Sequence, residues 1–155
     1  MRDKKRAVKE NTKKHFNRAA SKYETSHAFS GPLSQNELMY ERIREIPFEN
    51  LLDIGCGTGI LLSRILETRD VRVSGIDISK EMLGIARERL GDRAELVEGD
   101  SENLPFGDGE FDLVTWASTF HRFPDPANVL AEIGRVMAPG GTLVIKDCCS
   151  VFPLR

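Results

Sequence analysis

From Asn50 onward, apolar runs of strand length alternate with segments whose apolar residues recur every three or four positions. An unbroken apolar run of five or so residues marks a buried strand, and a period near 3.6 marks a helix with one buried face. The strand-like runs are NLLDI (50–54), VRVSGID (71–77), AELVEG (94–99), FDLVTWA (111–117) and TLVIKD (142–147). Ile60, Leu61, Ser63, Ile65 and Leu66 predict a helix after the first run. Met82, Leu83, Ala86 and Leu90, entered through Ser79 as N-cap, predict a second. A third starts at Asp125-Pro126, buries Val129, Leu130, Ile133, Val136 and Met137, and ends in the turn residues APGG (138–141). Helix and strand taking turns predict an α/β fold, a mainly parallel five-stranded sheet covered by helices. Upstream, Gly31-Pro32 predicts a turn, and the helix after it carries Leu38, Ile43 and Ile46 toward the sheet.

Charge changes this picture only at the amino end. Residues 1–22 hold nine Lys/Arg against Asp3 and Glu10, while the rest of the chain holds 13 against 22 Asp/Glu, so the net charge of −2 hides a basic arm. Such an arm can meet nucleic acid or an anionic membrane surface, but a charge run alone reads more simply as a solvated helix or frayed terminus. At 155 residues, 40% apolar and 30% charged, the chain fits one globular domain. The expected organisation is a basic helical segment and lid over 1–48, an α/β core over 49–147 and a short tail over 148–155. No apolar run approaches the ~18 residues that cross a bilayer, and MRDKKRAVKENTKKH lacks the apolar centre of a secretion signal, so a cytoplasmic protein is expected. Three cysteines, Cys148 and Cys149 adjacent, offer neither a disulfide framework nor a metal-binding spacing, and no metal is expected.

The chemistry concentrates where the first strand ends, in LLDIGCGTG (51–59). In a parallel sheet the loops at the carboxyl ends of the strands form the ligand-binding edge. Gly55, Gly57 and Gly59 there admit positive φ, let a ligand approach the backbone and leave amide groups free to bind it. Asp77 ends the second strand 22 positions after Gly55, a spacing that lets a carboxylate take two vicinal ribose hydroxyls. Asp100, after Gly99, ends the third strand at the same edge. A nucleoside-bearing ligand is the expectation. The dinucleotide fingerprint G-x-G-x-x-G/A fails at Ile60, and a phosphate-binding P-loop fails for want of Gly-Lys-Ser/Thr.

With LLDIGCGTG (51–59), GIDIS (75–79), EGDSENLPFGDGEFDLV (98–114), HRFPDP (121–126) and RVMAPGGTLVI (135–145) in this order, the chain resembles the class I S-adenosylmethionine-dependent methyltransferases, most of all their small-molecule and quinone-biosynthesis type. The resemblance implies a Rossmann-like sheet in the order 3-2-1-4-5 with helices on both faces. It also implies that S-adenosyl-L-methionine is the cosubstrate. By it, Asp53, Gly55, Cys56, Gly57 and Gly59 would line the methionine half, Asp77 would take the ribose hydroxyls and Ile78 would pack on the adenine. Asp100 would accept the adenine amino group beside the Ser101 backbone, and Thr115, Trp116 and Ala117 would face the methyl-bearing end. FNRAASKYE (16–24) resembles the segment that folds over the cofactor in such enzymes, which makes Tyr23 and His27 candidate lid contacts.

The expected reaction is in-line methyl transfer to a small-molecule or lipid-like acceptor, driven by orientation and exclusion of water. His121, just beyond the fourth strand, is the candidate catalytic base, with a structural role as its rival, and Trp116, Phe120 and Phe123 are candidate walls of the acceptor site. A non-catalytic S-adenosylmethionine-binding subunit, an NAD-type oxidoreductase and a nucleic-acid methyltransferase using the basic arm are the alternatives. Members of the family usually continue past the fifth strand into an antiparallel strand pair, which CCSVFPLR does not provide. The edge at 142–147 is therefore expected to pair with a second molecule as a homo-oligomer, to lie under the tail or to be blunted.

Overall fold

The computed structural model describes residues 2–25, 35–117 and 124–146. Its strands are β1 (Asn50–Ile54), β2 (Arg72–Asp77), β3 (Ala94–Glu98), β4 (Phe111–Ala117) and β5 (Met137–Lys146). They form a single parallel sheet in the order β3-β2-β1-β4-β5, the order expected. Around it lie α1 (Arg2–Ala19), which runs into a 3-10 segment (Ala20–Thr25), then α2 (Gln35–Ile43), α3 (Ile60–Leu66), α4 (Lys80–Leu90) and α5 (Pro126–Val136).

β1 and β4 read as continuous apolar runs because helices cover the sheet on both sides. Successive residues of a strand point to opposite faces, and the core divides accordingly. Leu51 packs with Met39, Tyr40 and Ile43 of α2, Leu61, Leu62 and Ile65 of α3, and Leu83 and Leu90 of α4. Leu52 and Ile54 pack on the other side with Val129, Ile133 and Val136 of α5. The predicted caps are present: Ser79 Oγ accepts from the Met82 amide at 3.2 Å, and Asp125 accepts from Asn128, with Pro126 opening α5.

The structure departs from the sequence reading in four places. In α2 the buried face is Met39, Tyr40 and Ile43: Ile43 is buried as expected, but Leu38, five positions before it and so off that face, is exposed. In α5, Leu130 is exposed too. Helix and strand do not alternate throughout: no helix separates β3 from β4. Instead the loop after β3 tucks Leu104 and Phe106 into the α5 side of the core. Arg135 holds it there, donating to the Leu104 and Phe106 carbonyls at 2.9 Å each. Finally, β5 begins at Met137 rather than Thr142. Met137 lies opposite Phe111 and Thr142 opposite Leu113, so the predicted turn APGG is an insertion in the ladder, Gly140 at φ +80°, rather than a break before it.

The basic arm is neither frayed nor simply solvated over its described length. No side chain described in α1 is buried, and apolar packing therefore does little to fix it. Its lysines, spaced by four, share one face: Lys5 pairs with Asp125 at 2.5 Å, Lys9 with Asp100 at 2.6 Å and Glu102 at 2.7 Å, and Lys13 with Glu98 at 2.7 Å. One turn on, Asn17 accepts from the Ser79 hydroxyl at 2.7 Å. Because these partners cap α5, follow β3 and cap α4, α1 lies across the carboxyl ends of the strands. The outer side of β5 pairs with no strand among the described residues. The tail that could cover it lies outside them, as do His27, Phe120, His121 and Phe123.

Candidate functional site

The three strands β1, β2 and β3 end together, and the loops after β1 and β3 are both tied to the end of β2. Gly55 and Cys56 donate from their amides to the Ile76 carbonyl at 2.8 and 3.1 Å, holding the turn after β1 against β2. Asp77, at the end of β2, accepts from the Gly57 amide through one oxygen at 2.9 Å and from the Ser79 amide through the other at 2.8 Å. One carboxylate thus fixes both the glycine loop and the start of α4. Gly99 donates to the Asp77 carbonyl at 3.0 Å, which places Asp100 and Ser101 beside the same loop.

The glycines are not equivalent. Gly57, at φ +55°, has nothing within 4 Å of where a Cβ would stand, so bare backbone faces open space. A Cβ on Gly59, at φ +75°, would come within 2.8 Å of Leu90 and 3.2 Å of Ala86, so this glycine lets α3 start against α4. Its role is packing.

A cleft opens over this edge. Gly55, Gly57, Asp77, Ile78, Gly99, Asp100 and Ser101 line it from the strand ends, with Met82 and Pro124. Lys9, Thr12 and Phe16 of α1 and Tyr23 of the 3-10 segment line it from the covering side. Phe16 and Tyr23 meet edge to face, ring centroids 6.2 Å apart. Of the residues singled out in the sequence, Gly55, Gly57, Asp77, Ile78, Asp100, Ser101 and Tyr23 therefore come together. Asp53, Cys56, Gly59, Thr115, Trp116 and Ala117 do not line the cleft. Asp53 and Thr115 are buried behind it and hydrogen-bonded to each other at 2.8 Å. Cys56 packs in the core against Gly75, and Trp116 lies in the core on the α5 side. Lys9, Thr12, Met82, Gly99 and Pro124 line the cleft without being candidates in the sequence, and Phe16 opens the FNRAASKYE segment expected to cover it. The four-residue spacing of Lys5, Lys9 and Lys13, which sets three cations on one face of a helix, is the feature of the sequence that could have marked the covering helix.

Burial dominates the electrostatics. It raises the Asp53 carboxyl to about 7, against the Thr115 hydrogen bond and with some help from the Asp77 charge. Asp77 is raised for the same reason, its backbone hydrogen bonds opposing the shift. The Cys56 thiol is pushed far up by burial, which makes it an inert core residue rather than a nucleophile. Asp100 accepts from Lys9 through one oxygen and from the Glu102 amide through the other at 3.0 Å. A carboxylate has lone pairs beyond those two, so both acids retain acceptor capacity toward the cleft. Among the described residues no group of His, Cys, Asp and Glu is arranged to hold a metal ion.

A family model described as a methyltransferase domain matches residues 52–145. The demethylmenaquinone methyltransferase of Thermotoga maritima is 38% identical over 145 residues, covering 88% of this chain and 62% of that protein. A crystal structure of a SAM-dependent methyltransferase from Aquifex aeolicus superposes with a TM-score of 0.62 at 26% identity, over 68% of this chain and 61% of that one. The (4+2)-cyclase SpnF superposes with a TM-score of 0.64 at 32% identity, over 71% of this chain and 42% of that one. The chain spans less than two thirds of the length of each of these proteins. The matched span runs from within β1 to within β5 and takes in the glycine loop and both acids, and the chain belongs to the methyltransferase domain family.

Proposed function

We propose that the chain binds S-adenosyl-L-methionine in the cleft beneath α1 and transfers its methyl group by in-line displacement to a small-molecule or lipid-like acceptor. The observation that carries the reading is the uncovered backbone at Gly57, set between two acids in a cleft that Phe16, Tyr23, Ile78, Met82 and Pro124 make mostly apolar elsewhere. Such a cleft fits a nucleoside, flat and apolar in the middle and polar at both ends. In this reading Asp77 accepts from the ribose hydroxyls, Ile78 and Met82 pack on the base, and Asp100 with Ser101 meets its polar edge; that all five line the cleft supports it. Gly55 and Gly57 leave room for the amino-acid half, and Phe16 and Tyr23 close the cleft to water. When bound, the cosubstrate supplies a methyl group already activated on a sulfonium. The protein's part is then to hold the acceptor in line and dry, worth on the order of ~7 kcal/mol in well-aligned systems. No metal enters this scheme, and His121 is the proposed base where the acceptor must lose a proton. The relative named demethylmenaquinone methyltransferase supports a quinone-like acceptor.

Calorimetry with S-adenosylhomocysteine tests the reading. The chain should bind it, and Asp77→Asn should weaken binding by about tenfold or more while lowering the unfolding midpoint less than Asp77→Ala does. Asn is chosen over Ala because Asp77 accepts from two backbone amides through separate oxygens: Asn keeps one of these acceptors and turns its NH2 toward the other amide, whereas Ala orphans both. Absence of binding at millimolar ligand would refute the proposal. Transfer of a labelled methyl group by the isolated chain would exclude a subunit that only binds.

A further inference from the structure

Thr58 stands between two glycines of positive φ and is 2% exposed, so its backbone groups are shut away from water outside any regular ladder. Its carbonyl is met by a side chain from elsewhere: one terminal nitrogen of Arg89, on the last turn of α4, donates to it. The other terminal nitrogen lies 2.6 and 2.8 Å from the two oxygens of Glu24. Glu24 follows Tyr23 in the segment that covers the cleft. Burial alone would raise its carboxyl; the hydrogen bond from Arg89, the Thr58 hydroxyl and the Arg89 charge hold it below the usual value instead. The side chains of Arg89 and Glu24 are 26% and 37% exposed, so the pair is partly withdrawn from solvent.

We infer that Arg89 is a positioning residue of the cofactor cleft, a clamp that fixes the glycine loop and the covering segment to each other without touching the ligand. The inference rests on the reading of the cleft given above. Neither Arg89 nor Glu24 lines the cleft, yet Arg89 holds the immediate neighbours of two residues that do: Thr58 beside Gly57, and Glu24 beside Tyr23. A planar guanidinium serves a carbonyl and a carboxylate at once from two separate nitrogens held in a fixed fork, whereas a Lys ammonium offers a single nitrogen on a shorter stem. Arg89 thereby makes closing of the segment and shaping of the loop one event. The part of the ligand that depends on the loop is the amino-acid half, while the adenine end rests on Ile78, Asp100 and Ser101, which the clamp does not reach.

The test compares Arg89→Lys, Glu24→Gln and the double variant for binding of S-adenosylhomocysteine and of 5′-methylthioadenosine, which lacks the amino-acid half. Arg89→Lys should weaken S-adenosylhomocysteine about tenfold and 5′-methylthioadenosine by less than about threefold, and the double variant should be no worse than the single ones, as expected for two residues that act as a unit. Equal losses for both ligands, additive losses or no loss would overturn the inference. Hydrogen exchange reads the clamp without ligand. Arg89→Lys should speed exchange at residues 20–25 and 57–59 and leave the β1 and β4 amides unchanged, and uniform or absent change would also overturn it. A wild-type chain that binds neither ligand but shows this local exchange pattern would sink the reading of the cleft and leave the clamp between loop and segment standing.

Discussion

Asp53 has a carboxyl that the fold would rather keep protonated. Its value of about 7 lies above the ordinary one, so over the range between them the folded chain holds a proton that the unfolded chain has lost. Stability from this residue is complete below about pH 4 and declines as pH rises toward 7, by up to ~1.4 kcal/mol for each pH unit. Asp53→Asn removes the titration. Urea midpoints should therefore fall between pH 5 and 8 in the wild type more than in the variant, and parallel profiles would show that the buried carboxyl is not the cause. The residue scale also marks a limit of the sequence. Gly55, Gly57 and Gly59 are indistinguishable in LLDIGCGTG, and the loop, Asp77 and Asp100 were legible from spacing alone. What separates Gly57 from Gly59 is the contact with Leu90 and Ala86, which only the packing of α4 supplies.

At the scale of elements, the strands and α3 to α5 were legible because their apolar periods are set by burial against neighbours. α1 was expected as a basic helical segment, but its ion-paired seat was not legible, because it buries nothing of its own and its partners lie far along the chain: Asp100 is 91 positions from Lys9, and Asp125 is 120 from Lys5. An arm that looks ready for nucleic acid spends Lys5, Lys9 and Lys13 on acids of its own fold. These pairs are partly exposed, worth little singly, and open to screening. Raising salt toward 1 M, where the screening length is about 3 Å, should speed hydrogen exchange over residues 2–19. The fluorescence of Trp116, fully buried on the α5 side, should not change. Unaltered exchange in α1 would mean that something other than charge holds it.

For the whole molecule, the sheet separates two apolar clusters, α2, α3 and α4 on one side and α5 with the Leu104–Phe106 loop on the other. Large-to-small changes in either should cost about 2–5 kcal/mol, and changes that share no partner should add within about 0.5 kcal/mol. Leu83→Ala and Ile133→Ala should therefore sum in a urea-denaturation cycle, whereas Leu83→Ala with Leu61→Ala should not. A large coupling across the sheet would show that the layers adjust together. Independence of the layers has a consequence for descent. A lineage could reshape the α5 side, next to the segment from which acceptor contacts are expected, by successive small replacements, while the side that packs behind the glycine loop stayed as it was. Novel acceptors could then be explored without renegotiating the seat of the methyl donor.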